Sequence, residues 1–154
     1  GGWDDTVQIW DQRAEHSVRR IFGPHICGEG IDIDRKHILT SSWRKHDVLQ
    51  VWDLGSGNRI QTLPPDFSGD SLLYCGQWLG RQHIICGGSD NNMVRIIDKT
   101  TLGSSGIIMN LPSGVYSIDH DRNRLKQHHN DATMIAATAG NQVYLLSNAV
   151  IKKD

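Results

Sequence analysis

The sequence predicts an all-β fold, a β-propeller of which about three and a half blades are present. Three observations carry that reading. A six-residue run returns along the chain: TVQIWD at 6–11, VLQVWD at 48–53, MVRIID at 93–98 and QVYLLS at 142–147. The ends of successive runs lie roughly 40–50 positions apart, the spacing of four-stranded blades. Helical periodicity is absent, and short alternating runs are punctuated by Gly, Pro, Asn and Asp.

The elements follow in order. Residues 6–11 form a first strand with Val7 and Ile9 on one face. Residues 16–22 form a second, stopped by Gly23-Pro24. In 30–34, Ile31 and Ile33 are expected inward and Asp32 and Asp34 outward. Residues 38–43 and 48–53 pair through the turn at 44–47. The strand at 58–63 stops at Pro64-Pro65, which cannot donate to a ladder. Residues 72–79 and 83–88 bracket Gly80-Arg81, and strands at 93–99, 107–111 and 115–120 come next. The polar stretch 121–131 reads as a loop, and 133–139 and 142–147 pair through Gly140-Asn141. Grouped by repeat, 1–23 is expected to hold the last two strands of a blade, 24–65 and 66–112 whole blades, 113–150 three strands of a closing blade and 151–154 a frayed tail.

The chain has 154 residues, with Lys+Arg 16 against Asp+Glu 17. That balance lacks the basic footprint of a nucleic-acid binder. No apolar run approaches the roughly 20 residues of a membrane-spanning helix. Cys27, Cys75 and Cys86 are odd in number and show no Cys-x-x-Cys spacing, as expected of reduced thiols in an intracellular protein, cytoplasmic or nuclear. An opening GGWDD and ragged strand counts at both ends lead us to expect the rest of a propeller, upstream or in a second copy, to complete the ring.

The Trp-Asp endings at Trp10-Asp11 and Trp52-Asp53, with Gly2-Trp3-Asp4-Asp5 before the first and Pro24-His25 before the strand at Ile31, resemble the WD-repeat family of β-propellers. The resemblance implies four strands per blade, with Trp-Asp closing the third, and a rigidifying network of His, Ser or Thr, Asp and Trp. Its implied structural residues here are Asp4, Trp10, His25, Ser42, Trp52 and Asp90, with Ser41 as an alternative hydroxyl. Arg44 stands where the turn Asp is expected, and Ile97 replaces the third Trp. Trp10 and Trp52 are expected to be buried between sheets, where an indole N–H needs a partner.

Trp3 and Trp43 precede the turns into third strands, a position that the resemblance places on the top face near the channel. With Arg44, Glu29, Tyr74 and Tyr116 they form a candidate partner-binding rim, since Trp, Tyr and Arg dominate interface hot spots. No catalytic residue, metal or cofactor is expected. His128, His129 and Asp131 lie together, but adjacent side chains point apart and no second pair sits at ligand spacing. The acids of IDIDR (31–35) and IDHDR (118–122) are read as repeated strand ends, and Gly87-Gly88-Ser89-Asp90 is not followed by Gly-Lys-Ser/Thr. The expected function is a non-catalytic protein-interaction scaffold, a subunit or adaptor whose partners are proteins or peptides, with neither nucleic acid nor membrane. The alternatives are a propeller hydrolase or lyase using channel acids and histidines, and a modified-peptide reader in which Trp3, Trp43 and Tyr116 approach one another.

Overall fold

A computed structural model describes residues 1–121 and 133–147. Over these residues the chain forms thirteen strands and no helix. Strands β1 (Thr6–Ile9) and β2 (Arg19–Phe22) make a first, two-stranded sheet. A second sheet holds β3 (Ile31–Asp34), β4 (His37–Ser41), β5 (Leu49–Asp53) and β6 (Arg59–Thr62) in that order. A third holds β7 (Leu72–Leu79), β8 (His83–Ser89), β9 (Met93–Asp98) and β10 (Ser104–Ile108), and a fourth holds β11 (Val115–His120), β12 (Met134–Ala139) and β13 (Gln142–Ser147). Every ladder is antiparallel between consecutive strands. The architecture is a partial propeller. The loop expected at 121–131 falls, after Asp121, outside the described residues, as does the tail at 151–154.

Period-2 alternation builds the core between sheets rather than within them. The first and second sheets enclose Val7, Ile21, Ile26, Ile38 and Trp52. The second and third enclose Leu39, Leu49, Val51, Leu73, Trp78, Ile84, Cys86 and Ile97, among others. The third and fourth enclose Cys75, Leu79, Ile85, Val94, Val115, Ile118 and Ile135. Ile38 and Leu39 on β4 thus serve different layers, as do Ile84 and Ile85 on β8. Ile33 departs from its expected inward role and is exposed. The two-stranded first sheet reaches Ile31 on that face but not Ile33, while Asp32 turns its carboxylate to the Trp78 N–H at 2.7 Å.

In the three runs that end in Asp, that residue closes the turn after the strand. Asp11 Oδ1 accepts the Arg13 N–H at 3.0 Å, Asp53 Oδ1 the Ser56 N–H at 2.6 Å, and Asp98 Oδ1 the N–H groups of Thr100 and Thr101 at 2.7 and 2.9 Å. These side chains mimic a backbone turn, which is why the run ends in Asp. The turn at 98–103 also explains why β10 starts at Ser104 instead of the expected 107. Leu102 adopts a left-handed φ of 60° and donates its N–H to the Asp98 carbonyl at 2.8 Å, reversing the chain early. At the other end of the third strands, Asp5, Asp47 and Asn92 hold φ of 57°, 52° and 44°. Short polar side chains tolerate this conformation, and it enters each strand sharply.

Burial raises the thiols of Cys75 and Cys86, the latter to about 12, and raises the half-buried Cys27 as well. Thiol labelling of the folded chain at neutral pH should therefore reach Cys27 first. Cys75 and Cys86 should react only after denaturant is added, as mass spectrometry of the alkylated chain will show.

Hydrogen bonds from Ser56 hold the Asp53 carboxyl below its ordinary range, and those from Thr101 and Thr100 do the same for Asp98. A depressed carboxyl stabilises the fold above its unfolded pKa, near ~4, and that stabilisation is lost as pH falls through the folded value. Asp53→Ala and Asp98→Ala should each lower Tm at pH 7 and lower it less at pH 3, measured by thermal melts at both.

Candidate functional site

Five rings form a row that crosses all four sheets at one end of the array. Trp3 precedes β1, His25 lies between β2 and β3, Trp43 between β4 and β5, Tyr74 on β7 and Tyr116 on β11. Neighbouring centroids are 6.1 Å apart for Trp3 and His25, 6.3 Å for His25 and Trp43, 6.4 Å for Trp43 and Tyr74, and 4.6 Å for Tyr74 and Tyr116. Trp3 is 76% exposed and Trp43 39%.

Backbone geometry aims each ring. The ladders of β7 with β8 and of β11 with β12 shift register between Leu73 and Cys75 and between Val115 and Ser117. Tyr74 and Tyr116 are therefore the extra residues of two β-bulges, and a bulge re-aims its side chain. Glu29 holds the matching place just before β3. Its carbonyl accepts the Gly76 N–H at 3.1 Å, and its carboxylate accepts the Ser117 hydroxyl at 2.7 Å, tying the second sheet past the third to the fourth. Trp43 is set by its N–H on the His25 carbonyl at 2.9 Å.

Arg44 holds the base of the row. Its guanidinium donates to the Gly23 carbonyl at 2.8 Å, the Asp47 carbonyl at 2.7 Å and Gln50 Oε1 at 2.8 Å. These three acceptors link the first sheet's end to the turn and third strand of the second sheet. Arg44 thus staples sheets from beneath the rings, whereas it was expected on the binding rim itself. It does the turn-closing work of the absent Asp from the other direction, as a donor to carbonyls.

The expected His–Ser–Trp network divides into two separate pairs. Trp52, 7% exposed, donates its indole N–H to Thr40 Oγ1 at 2.9 Å. Register decides this partner: Ile38 opposes Trp52 and Thr40 opposes Gln50, so Thr40 shares the face of Trp52. Ser41 points to the opposite face, against Gly76, and Ser42 lies beyond the end of β4. Both serines are buried, and neither hydroxyl meets a hydrogen-bond acceptor among the described residues. His25 Nδ1 instead meets Asp5 Oδ1 at 2.7 Å. Its neighbour Asp4 accepts the Thr6 hydroxyl and N–H at 2.8 and 3.1 Å and shapes the entry to β1.

Trp10 also departs from its expectation and is 62% exposed. Strand β1 ends at Ile9, and Trp10 follows Thr6 and Gln8 on a face against which no sheet packs among the described residues. Asp90 sits in the β8–β9 turn with φ of 73°. Asn91 beside it does the tethering, donating to Ser68 Oγ and Ser71 Oγ at 3.1 and 3.2 Å.

Two residues of the site escaped the sequence reading: His25 as a ring of the row, and Asp5 as its partner. The left-handed Asp or Asn that recurs six places before each Asp-ending was the available signal for Asp5.

Among the described residues, the acidic and histidine positions weighed for chemistry bond to backbone groups and not to one another's side chains. Asp119 Oδ1 accepts the His120 N–H, Asp121 Oδ1 accepts the Met134 N–H, and His120 Nε2 faces the Trp78 carbonyl at 3.2 Å. No three metal-ligating side chains gather among the described residues. His128, His129 and Asp131 lie outside those residues. Gly87 and Gly88 lie inside β8, where a Cβ on Gly87 would come within 2.6 Å of Val115 Cγ1 and one on Gly88 would collide with the Leu72 carbonyl. They allow close sheet approach and form no phosphate loop.

No family model matches the chain, and no curated protein matches it. Among solved structures it is similar to the WD40 β-propeller domain of Doa1, with a TM-score of 0.71 and 19% identity. The match covers 96% of this chain and 45% of that one, so the chain spans less than half of that structure's length. At this identity the likeness is one of fold.

The site geometry separates the roles of the two motif tryptophans of the second sheet. Trp52→Ala should cost about 3–5 kcal/mol by emptying a filled layer, while Trp43→Ala should cost no more than about 1 kcal/mol. Urea unfolding of both variants measures the difference, and equal losses would make Trp43 a core residue.

Proposed function

We propose that this chain is a non-catalytic protein-interaction scaffold, a subunit or adaptor of a larger intracellular complex, whose partner docks on the aromatic row. The observation that carries the proposal is the row itself: four large aromatic side chains and a histidine, carried by four successive sheets, with two of the rings on bulges. Tyr74 and Tyr116 sit on strands and Trp43 is tied by its backbone N–H to the His25 carbonyl; rings held this way lose little conformational freedom on binding, so more of their contact energy appears as affinity. The likeness in fold to a WD40 propeller supports the same reading.

A second surface fits the same assembly. Met134, Val143 and Leu145 share the outward face of the fourth sheet and are exposed, as Trp10 is on the first. We propose that further propeller blades, or a second copy of the chain, cover these faces. The alternation that fills the inner layers has the same form here and lacks only a facing sheet.

Trp3→Ala and Trp43→Ala should each weaken partner binding by about 1–3 kcal/mol with the fold intact. Affinity capture identifies the partner, and calorimetry on the purified pair measures the loss. Unchanged affinity in both variants would remove the row from the interface.

A further inference from the structure

We propose that the aromatic row takes an extended, basic peptide segment with lysine or arginine at alternate positions. The inference rests on the reading of the row as the binding face and adds the chemistry of its occupant.

Spacing is the first argument. The three gaps from Trp3 to Tyr74 are 6.1, 6.3 and 6.4 Å. An extended chain rises about 3.3 Å per residue, so side chains on one of its faces recur every ~6.6 Å. An extended segment laid over Trp3, His25, Trp43 and Tyr74 therefore meets a new ring with about every second residue, and the closer pair of Tyr74 and Tyr116, 4.6 Å apart, ends that register. Among the described residues the ring contacts run only between neighbours, in the order Trp3, His25, Trp43, Tyr74 and Tyr116, which suits a strand better than a single enclosed side chain.

Charge is the second argument. Ring faces attract cations, and Arg or Lys over an indole is the most favourable case. Among the described residues the only such stack within the chain is Lys99 over Trp78, 4.3 Å from the ring centroid and outside the row. Arg44, next to Trp43, has its guanidinium bound to three oxygens. Among the described residues no Lys or Arg stacks on the faces of Trp3 and Trp43. Carboxylates flank the row instead. Asp5 is exposed beside His25 at the Trp3 end. Glu29 is exposed at the tyrosine end, where it replaces the ring that Tyr74 and Tyr116 place at the matching position. Two acids beside a row of π faces complement a basic strand and repel a phosphate backbone or an acidic one.

The test uses the full chain and capped synthetic peptides, with labelled-peptide anisotropy and calorimetry as readouts. One peptide alternates arginine and serine. A second has the same composition in two blocks, and a third alternates glutamate and serine. The alternating arginine peptide should bind about tenfold more tightly than the block peptide, and the glutamate peptide should not bind. Glu29→Gln and Asp5→Asn keep their hydrogen-bond acceptors and should each weaken binding roughly threefold to tenfold. Trp43→Ala should weaken it about tenfold or more. Equal binding of the two arginine peptides, equal binding of the glutamate peptide, or no binding at millimolar peptide by a chain shown to be folded overturns the inference. If Trp3→Ala and Trp43→Ala still abolish binding of the captured partner while no basic peptide binds, the scaffold reading stands and only the basic occupant falls.

Discussion

The strands β4 and β8, inside the second and third sheets, have apolar side chains on both faces, so each needs a sheet on either side. The contact between neighbouring sheets is the interaction on which the rest of this structure depends. Leu39 and Ile38 are adjacent on β4 yet belong to different layers, and Ile84 and Ile85 repeat the pattern on β8. At roughly 25 cal/mol per Å² of apolar surface, such layers are the main favourable term available to an all-β chain of this kind. The ladders within a sheet set register. The layers set where each sheet stands relative to the next.

Packing sheets face to face leaves carbonyls at their margins, and three arginines answer them. Arg19 reaches the Leu54 carbonyl at 2.6 Å, Arg44 the Gly23 carbonyl at 2.8 Å and Arg95 the Pro64 carbonyl at 2.9 Å. Arg95 is only 6% exposed and also donates to Ser104 Oγ at 2.8 Å. A buried guanidinium is tolerable because its donors find oxygens in a fixed fork. The same three contacts bridge sheets that have no ladder between them, so they hold the relative placement on which the ring row depends. The gaps from Trp3 to Tyr74 stay between 6.1 and 6.4 Å although these rings come from separate repeats.

How much of this was legible in the sequence differs from residue to residue, and the contrast between Trp10 and Trp52 shows why. Both end the same motif, yet one indole is sealed against Val7, Ile21, Ile26 and Ile38 while the other faces solvent. Nothing within TVQIWD or VLQVWD distinguishes them; the presence of a facing sheet does. The same holds for Ile33, whose alternation is correct and whose covering sheet stops short. The hydroxyl partner of Trp52 needed the register of β4 with β5, which places Thr40 and not Ser41 on the indole's face. The candidate rings were legible one at a time. Their alignment, with His25 joining Trp3 to Trp43, was not, because it depends on two bulges and on the distance between sheets.

The sequence by itself determined the strand-rich class, the repeat of its third strands, the Asp that closes each following turn and the residues able to serve as aromatic anchors. These follow from local rules: a period of two, the hydrogen-bonding reach of a short carboxylate, the breaks at Gly and Pro. The tertiary structure alone decided which tryptophan is core and which is surface, that Arg44 ties the first sheet's end to the second sheet, and that five rings form a row with Asp5 and Glu29 beside it. The physical reason is that burial and alignment are relations between sheets, made by contacts between residues distant in the chain.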